Sequence, residues 1–523
     1  MALIPISPAG ALGLNTDISA QELPLLAWTK IQNLRTRNAA LERMPKEQVI
    51  YGTPTIESCF ALFVKGQGME NLWLYAGTSK VYCASSSGHT DITRSSGGDY
   101  NTTFRARWNG GVLAGVPVLT NGVDVPQMWL NPTSAQKLAN LTAWDATERC
   151  EVISPFKNYL VALNITKSGV NYPTLVKWSH PADPGTPPPS WDETDPTKDA
   201  GEYPLSETPG AVVDQLSMRD INVIYKKDSV WGMQYIGGEF IFRFFKIFDQ
   251  FGIPSRGFMC QVDKARHLVC SGTDLLVHDG QQYTSIATDR VRKYLRNIPE
   301  DSYAYCFMVS YQLQSEAWFC WRYDQSLESC DRALVWNWKD NSFTERILSP
   351  SYHHIAAGPV GSEALGIGTW DSDSGTWADD TTVWNDASAF PETAKLFGSG
   401  TSLLYLVDSG IGDSTECIAE RQYLGTPLKT GQPPDISSYK FCRRVWPRLT
   451  ADTALDVEIT LGSSDEIGGV ITWKTPVTFS VGVDKKMDCT LSGRCFAIRI
   501  RSQAAGIWRL HGIDWDVDLL GEM

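Results

Sequence analysis

The residues best suited to chemistry are five aspartates set among evenly spaced tryptophans in residues 369–389, which read TWDSDSGTWADDTTVWNDASA. Carboxylates separated by one residue, as at the start of this segment, open many calcium-binding loops. However, Thr376 stands where such a loop needs glycine, and Thr382 stands where it needs a bidentate acid. The composition therefore favours a turn-rich segment, with a calcium site as the alternative. The aspartates are Asp371, Asp373, Asp379, Asp380 and Asp386.

The formal net charge of −13 is concentrated in two segments, residues 369–389 and a proline-rich stretch at 180–210. Acidic residues strongly outnumber basic ones in both, and the rest of the chain is nearly neutral. Such segments are typical of solvated loops. They would also suit a surface along which a polyanion passes without sticking, and the five aspartates are the candidates for such a surface.

The sequence contains none of the local motifs that organise common catalytic or cofactor sites. It has no phosphate-binding G-x-x-x-x-G-K-[ST] loop, no complete G-x-G-x-x-G turn, no G-x-S-x-G elbow and no H-E-x-x-H zinc helix. Its seven histidines are scattered along the chain. A catalytic pair of carboxylates that are distant in sequence but close in the fold, as in glycosidases, stays a possible site. We therefore expect a protein that is not an enzyme and has no cofactor.

Twelve cysteines are spread over the chain without a C-x-x-C pair, and several lie in apolar runs such as WFCWRY. Isolated cysteines of this kind are usually buried small apolar residues. The first fifty residues lack the pattern of an export signal, and no apolar stretch approaches the roughly 18 residues of a membrane helix. We therefore expect assembly in a reducing cytoplasm with free thiols, and no insertion of this chain into a membrane.

Short apolar runs separated by turn signals fill the middle of the chain, which predicts a fold of many strands. Examples are YLVAL at 159–163, AYCFMVSY at 304–311 and AWFCWRY at 317–323. The runs come in hairpin-like pairs, and the pairs recur about every 40–50 residues, the period of a propeller blade. A blade cannot bury both of its faces alone, so neighbouring blades must stack around an axis, and we expect about five to eight of them.

The expected fold class is therefore all-β, with a β-propeller-like multi-bladed body and a C-terminal β-sandwich-like domain. The body spans residues 58–437 and includes the insertion at 369–389 and the acidic loop at 180–210, which we expect to be extended and poorly packed. Residues 438–523 form the compact terminal domain. Residues 288–299 are the clearest helix candidate, because they have apolar residues at helical spacing and a closing proline.

Residues 1–57 form an N-terminal segment that ties into the β scaffold. Apolar residues punctuate this otherwise polar stretch, which ends in a basic cluster. We expect it either to close the scaffold or to dock it onto a neighbour, where the basic cluster would meet an acidic protein partner. The candidate contact residues are Trp28, Arg35, Arg37 and Arg43.

This opening also resembles that of the tail nozzle, or tail tubular, proteins of short-tailed bacteriophages, which stabilise the packaged DNA. The matching positions are Trp28, Asn33, Arg35, Glu42 and Arg43. The run LSMRDINVIYKKDSVWGMQYIGGEFIFRFFKIFDQFGIPSRG at 216–257 resembles the central signature of the family. Further matching blocks are DRVRKYL, RVWPRL, SGRCFAIRIRS and WRLHGIDWDVDLLG. The resemblance spans nearly the whole chain, and its motifs are structural rather than catalytic.

The resemblance implies a structural protein of the virion tail, assembled in the host bacterial cytoplasm. It implies a hexameric ring that continues the DNA channel below the portal and adaptor proteins and also contacts fibre proteins. Such a ring would retain the packaged genome and conduct it at ejection. A basic lining would hold the duplex through counterion release. The resemblance therefore implies a neutral or acidic channel lining, for which the five aspartates of residues 369–389 are the candidates, and double-stranded DNA would pass without tight binding.

Two alternatives stay open from the sequence. A β-propeller carbohydrate-active enzyme would turn over glycans as purified protein and would usually carry an export signal. A glycan-binding tail module would bind glycans and would commonly have a trimeric, fibre-like sequence. A six-fold ring under a portal would identify the nozzle, whereas a monomer with a deep central pocket would favour the enzyme.

Overall fold

The structure is a computed structural model that describes residues 2–67, 70–85, 87–238, 240–360, 394–400, 403–410, 415–427 and 435–521. Within these residues almost all regular structure is β. The N-terminal segment contributes seven short strands. They are β1 (Ala2–Ile6), β2 (Gly13–Leu14), β3 (Ala27–Trp28), β4 (Lys30–Gln32), β5 (Leu34–Arg37), β6 (Ala40–Arg43) and β7 (Lys46–Val49).

The propeller begins with five four-stranded antiparallel sheets, each made of four consecutive strands, which we call blades 1 to 5. Blade 1 contains β8 (Phe60–Lys65), β9 (Asn71–Ala76), β10 (Val81–Ser85) and β11 (Gly88–Asp91). Blade 2 contains β12 (Asn109–Leu113), β13 (Val116–Thr120), β14 (Gln127–Met128) and β15 (Ala139–Asn140). Blade 3 contains β16 (Glu148–Phe156), β17 (Tyr159–Lys167), β18 (Val170–Trp178) and β19 (Gly201–Pro204).

Blades 4 and 5 repeat the same meander. Blade 4 contains β20 (Val212–Met218), β21 (Ile221–Lys226), β22 (Val230–Tyr235) and β23 (Phe242–Phe248). Blade 5 contains β24 (Met259–Asp263), β25 (Arg266–Cys270), β26 (Leu275–His278) and β27 (Tyr283–Ser285). Local turns set this order: the backbone N–H of Lys226 donates to the Ser229 carbonyl oxygen at 2.8 Å, which closes the two-residue turn between β21 and β22.

A short helix follows blade 5, and it is shorter than the predicted span of 288–299. Only α1 (Arg292–Arg296) is helical, because Asp289 has a φ of +58°, which is incompatible with a helix that starts earlier. The carboxylate of Asp17 accepts hydrogen bonds from the backbone N–H groups of Arg292 and Lys293, each at 2.8 Å. The N-terminal segment therefore caps this helix from a distant part of the sequence.

Two further blades share one long strand and close the ring. The 18-residue strand β31 pairs through its first half with β30 in blade 6 and through its second half with β32 in blade 7. Strand β7 pairs with β33, so the N-terminal segment supplies the last strand of blade 7. The strands are β28 (Phe307–Tyr311), β29 (Glu316–Trp321), β30 (Cys330–Asn337), β31 (Ser342–Pro359), β32 (Ala394–Gly400) and β33 (Leu404–Gly410).

Blade 7 packs against blade 1, so the seven blades form a closed circle. The indole ring of Trp73 in β9 is stacked on the ring of Phe397 in β32, with centroids 4.1 Å apart. The indole N–H of Trp73 also donates to the carbonyl oxygen of Pro359, at 3.0 Å. This closure covers both faces of every blade, which is why strands such as β17 begin with five buried residues in succession.

A β-sandwich lies beside the propeller. Its strands beyond the N-terminal segment are β34 (Cys417–Leu424), β35 (Tyr439–Ala451), β36 (Asp456–Ser464), β37 (Thr472–Trp473), β38 (Val477–Ser480), β39 (Met487–Gly493), β40 (Cys495–Ser502) and β41 (Trp508–Gly521). One sheet has the order β4–β34–β40–β36, and the other has the order β39–β35–β41–β6–β5. The rings of Phe496 and Trp515 stack between these sheets, with centroids 5.7 Å apart.

The sandwich differs from the separate domain predicted for residues 438–523. Strand β34 precedes that range, and β4, β5 and β6 come from the N-terminal segment, as does β1, which pairs with β41. Strand β4 also meets blade 6, where Gln32 lies opposite Glu345, so one sheet runs from the propeller into the sandwich. The N-terminal segment therefore belongs to both halves of the fold.

Candidate functional site: the N-terminal clasp

We call strands β3–β7 the N-terminal clasp, because they join the sandwich to blades 6 and 7. Three of the four side chains predicted to contact a neighbouring protein are buried here. Trp28 is 3% exposed, and its indole N–H donates to the Ala9 carbonyl oxygen at 2.6 Å. Arg43 is 1% exposed and donates from Nη1 to the Gly506 carbonyl oxygen at 3.1 Å, and Arg35 is 2% exposed. Their location corrects the prediction of a surface contact, because β5 and β6 lie inside the fold.

Arg37 is the one predicted contact residue that stays on the surface. Its side chain is 54% exposed, and Nη1 donates to Glu42 Oε1 at 3.3 Å. Glu42 also accepts a hydrogen bond from Arg509 Nε of β41, at 2.6 Å. Arg37 therefore keeps its predicted role as a candidate contact to a neighbouring subunit or adaptor.

Arg35 lies at the centre of a buried charge network that fastens the clasp. Its Nε donates to Glu316 Oε1 at 2.9 Å, and its Nη2 donates to Asp408 Oδ2 at 2.6 Å. Glu316 belongs to β29 of blade 6, and Asp408 belongs to β33 of blade 7. A single guanidinium group thus joins the clasp to two blades.

A second arginine extends this network back to the clasp. Arg346 Nη1 donates to Asp408 Oδ1 at 2.8 Å, and Arg346 Nη2 donates to Glu47 Oε1 at 2.7 Å. The guanidinium of Arg346 also lies over the ring of Trp318, 5.0 Å from its centroid. Two guanidinium groups thus face three carboxylates, and each of these five residues is at most 8% exposed.

The charges of this network are paired with charges of opposite sign, although two guanidinium groups face three carboxylates and burial raises the pKa of Glu316. Burial works to lower the pKa of Arg35, but Asp408 and Glu316 outweigh it and raise that pKa above its ordinary value. The pKa of Arg346 is raised in the same way, with burial opposed by Glu47 and Asp408. Buried charges are tolerated only when they are paired, so the network forms only when the clasp and both blades are in place.

Sequence reasoning missed four members of this network, Glu47, Glu316, Arg346 and Asp408. One signal was available, because Glu316 directly precedes the apolar run AWFCW and Asp408 directly follows LLYLV. An ionisable residue attached to a strongly apolar strand is expected to find a buried partner. The sequence does not show which residues meet, because the partners lie up to several hundred positions apart.

The proline-rich acidic loop at 180–210 is packed on blade 3, which corrects the prediction of an extended, poorly packed loop. Trp191 is 2% exposed, and its ring lies 4.6 Å from the ring of Trp144. Leu205 is fully buried. Proline lowers the conformational entropy of the unfolded chain. This proline-rich loop therefore loses less conformational entropy on becoming ordered than a loop without prolines would.

Two lysines of blade 3 neutralise part of this loop. Lys167 Nζ lies 3.0 Å from Glu193 Oε1 and 2.5 Å from Glu202 Oε2, and Lys177 Nζ lies 2.9 Å from Glu148 Oε2 and 3.0 Å from Glu193 Oε2. Burial works to raise the pKa of Glu193, but hydrogen bonds from its own backbone and from the two lysines lower it to about 2. We call these five residues the rim network.

The second acidic segment, at 369–389, lies outside the described residues. The channel-lining role predicted for its aspartates and the alternative of a calcium site therefore both stay predictions. The residues concerned are Asp371, Asp373, Asp379, Asp380 and Asp386.

A buried and uncharged polar cluster joins blade 4 to blade 5. His267 Nε2 donates to the Ser217 carbonyl oxygen at 3.0 Å, which leaves His267 Nδ1 to accept from the Tyr225 hydroxyl at 2.8 Å. The Tyr225 oxygen in turn accepts from His278 Nε2 at 2.7 Å. Burial lowers the pKa of His267 to about 4 and that of His278 to about 3, so both rings are neutral at pH 7. We call these residues the tyrosine–histidine cluster.

Two arginines, the buried Arg107 and the partly exposed Arg256, also link blades of the propeller. Arg107, just before β12 of blade 2, donates from Nη2 to the Cys306 carbonyl oxygen at 2.6 Å, just before β28 of blade 6. Blades 2 and 6 are not neighbours, so this contact crosses the middle of the ring. Arg256 Nη1 donates to the carbonyl oxygen of Glu151 in blade 3, at 2.8 Å. Both arginines use backbone acceptors, so they fasten blades together.

Two further features of the described ranges bear on function. In that part of the chain, no group of three or more His, Cys, Asp or Glu side chains is arranged to hold a metal ion. No helix in the same part is both long enough and apolar enough to cross a bilayer.

The sheets define the fold class of this chain, an all-β protein with a β-propeller body, as expected from the sequence. Comparison with protein-family models finds no match, and comparison with curated proteins finds none either. Among solved structures, the chain is similar to the WD40 β-propeller domain of Doa1, with 8% identity, a TM-score of 0.36, and 69% of this chain and 96% of that chain covered.

Two other solved structures are also similar to this chain. YCF48 bound to a D1 peptide has 9% identity and a TM-score of 0.36, with 74% of this chain and 99% of that chain covered. PorZ, a surface component of the type-IX secretion system of Porphyromonas gingivalis, has 9% identity and a TM-score of 0.35, with 73% of this chain and 43% of that chain covered. At these identities the similarity concerns the fold alone.

Proposed function

We propose that this protein is a structural subunit of a bacteriophage tail nozzle, part of a hexameric ring that continues the DNA channel below the portal and adaptor proteins. In this role it retains the packaged genome and conducts it at ejection. It acts as a virion component, contacts fibre proteins in the tail, and performs no catalysis. Double-stranded DNA passes through the ring without being held tightly.

The observation that supports this proposal is that several of the sequence blocks behind the family resemblance lie next to one another in the fold. Three of these blocks lie near the C-terminal end of the described residues, in β35, β39–β40 and β41, and a fourth lies in the clasp, far from them in sequence. In the fold β41 pairs with both β35 and β6, where Arg509 lies opposite Glu42. Chance matches would be scattered over unrelated elements, whereas these blocks form one sandwich.

The block at 216–257 supports the same proposal from the propeller. It begins within β20 and covers β21, β22 and β23 of blade 4, together with the connection to blade 5. Several residues in this block, such as Tyr225 and Trp231, are buried packing residues, whereas Ile236 and Phe240 between β22 and β23 are exposed. A framework role is what a ring subunit requires, because its task is to hold a fixed shape around the genome.

Electron microscopy of the purified full-length protein, alone and mixed with its adaptor ring, tests the proposal directly. We expect six-fold rings with an open centre, and in virions the same ring below the portal. The test variant is Arg37→Glu, which reverses the charge of the exposed clasp arginine. It should weaken ring formation without unfolding the subunit. A protein that stays monomeric under all of these conditions and hydrolyses or binds glycans would instead support the carbohydrate alternative.

The predicted acidic lining is tested separately, in virions that carry the variant protein. Replacing Asp371, Asp373, Asp379 and Asp380 by lysine should slow DNA ejection, because added cations hold the duplex through counterion release. The matched control replaces the same four residues by asparagine, which removes the acids without adding cations. Ejection kinetics that are unchanged in the lysine virions would exclude this segment from the channel.

A further inference from the structure

Two cysteines of the sandwich lie side by side on neighbouring strands. Cys442 is in β35 and Cys489 is in β39, and their Sγ atoms are 3.6 Å apart. The Cys489 thiol also lies 3.6 Å from the Cys442 carbonyl oxygen. The sulfurs of a disulfide are about 2.0 Å apart, so a modest rotation of one or both side chains would bring these two within bonding distance.

The strand geometry at this point allows such a rotation. The register between β35 and β39 shifts between Cys442 and Arg444, so that Cys442 lies opposite Leu491 and Arg444 lies opposite Asp488. Cys489 lies within the resulting bulge, where the ladder of backbone hydrogen bonds is locally interrupted. Within the described residues, strand β39 is also an edge of its sheet, where it pairs with β35 alone.

This pair differs from the other thiols because one of its two members is accessible to solvent. All twelve cysteines are free, and Cys489 is the only one of them that is not buried. Cys306 and Cys330 are also neighbours, but both are fully buried. The contact with Cys442 lowers the pKa of Cys489, which favours the reactive thiolate at the accessible position.

We propose that Cys442 and Cys489 form a redox modification site, a dithiol that a low-molecular-weight disulfide such as oxidised glutathione converts into an intramolecular disulfide. This inference is independent of the nozzle proposal, because it rests only on the two strands. Its effect is to fasten the edge strand β39 covalently to its neighbour β35.

The reaction proceeds by two thiol–disulfide exchanges. Cys489 releases its proton to solvent, and its thiolate attacks one sulfur of oxidised glutathione. A mixed disulfide forms, and one glutathione thiolate leaves and takes up a proton. Cys442 then loses its proton, and its thiolate attacks the Cys489 sulfur and displaces the second glutathione thiolate. Two protein thiols are oxidised, and one glutathione disulfide is reduced to two thiols.

The experiment treats the folded full-length protein with oxidised glutathione, blocks the remaining thiols with an alkylating reagent, and maps the digested peptides by mass spectrometry. We expect a cross-linked peptide pair that contains Cys442 and Cys489, and two fewer of the twelve cysteines alkylated. Cys306 and Cys330 serve as the internal control, because they are neighbours without access and should stay reduced. Hydrogen exchange of β39 should become slower after oxidation.

Two variants separate the steps of the reaction. Cys489→Ser should abolish the reaction, whereas Cys442→Ser should stop at a stable glutathione adduct on Cys489, because the second thiol is missing. The wild-type protein provides a check that needs no variant: phenylarsine oxide, which bridges two close thiols, should protect both cysteines from alkylation together. A persistent glutathione adduct on wild-type Cys489, or twelve thiols still free after treatment, would overturn the proposal.

Discussion

The charge network of the clasp and the tyrosine–histidine cluster are both buried polar groups that join separate elements, but only the first carries charge. Around Arg35, every charge has a partner of opposite sign on another element. Around Tyr225, three neutral rings share a chain of hydrogen bonds between blades 4 and 5. One contact depends on charge compensation, and the other depends on the absence of charge.

This difference predicts how each contact fails. Removing Arg35 from the charge network leaves Glu316 buried without its guanidinium partner and leaves Asp408 paired with Arg346 alone, which is far more costly than the loss of one hydrogen bond. A neutral histidine cluster is instead destabilised by acid, because at low pH the histidines of the unfolded chain bind protons that the buried rings of the folded state bind only weakly. The clasp should therefore be sensitive to mutation, and the tyrosine–histidine cluster should be sensitive to pH.

The largest effect is expected from Arg35→Met, which leaves Glu316 and Asp408 buried beside an apolar side chain. We expect a loss of about 3–5 kcal/mol in the free energy of unfolding, measured by urea denaturation. The matched control is Arg37→Met on the same strand, where the side chain is 54% exposed and the loss should stay within about 0.5 kcal/mol. Equal losses in the two variants would show that the clasp network is not what stabilises this junction.

The second effect is a dependence of stability on pH. The ordinary pKa of histidine is about 6.5, whereas His278 has a folded-state pKa of about 3 because of its burial. Between these values the unfolded state binds a proton that the folded state does not, so stability falls as the pH is lowered from 7. At about 1.4 kcal/mol per pH unit, the loss at pH 5 is on the order of 2 kcal/mol for this ring.

The variant His278→Phe isolates this contribution, because the ring already lies among Phe248 and Phe251. The loss of stability between pH 7 and pH 5, measured by urea denaturation at each pH, should shrink by about 2 kcal/mol in this variant. His511→Gln is the control, because it removes a histidine that is exposed rather than buried. An equal pH dependence in wild type and His278→Phe would rule out the cluster as its source.

The smallest effect is expected in the rim network, which is charged like the clasp but partly exposed. Lys167 is 23% exposed at its side chain and pairs with Glu193 and Glu202. Lys167→Met should cost about 0.2–1 kcal/mol in the free energy of unfolding, and the difference from wild type should shrink at high salt because ions screen exposed charges. A loss as large as that of Arg35→Met, and independent of salt, would mean that exposure is not what distinguishes the two networks.

How much could be predicted from the sequence depended on the distance between interacting residues. The blades were predictable, because each consists of consecutive strands joined by local turns such as the one at residues 227–228. The clasp was half predictable: its tie to the scaffold follows from the basic and apolar pattern, but Arg35 and Arg43 were expected on the surface. Their partners Glu316, Asp408 and Gly506 lie hundreds of positions away, so no local signal shows which residues meet.

The sequence by itself determined the all-β class and the repeating blades, because alternation of apolar residues and turn chemistry act over a few residues. Only the tertiary structure decided the number of blades, since the seventh exists through pairing of β7 with β33. It also decided that the sandwich is built from both ends of the chain, and that the basic cluster of the clasp is largely interior. The physical reason is that burial and charge compensation depend on which distant segments meet, and that is settled by the packing of the whole chain.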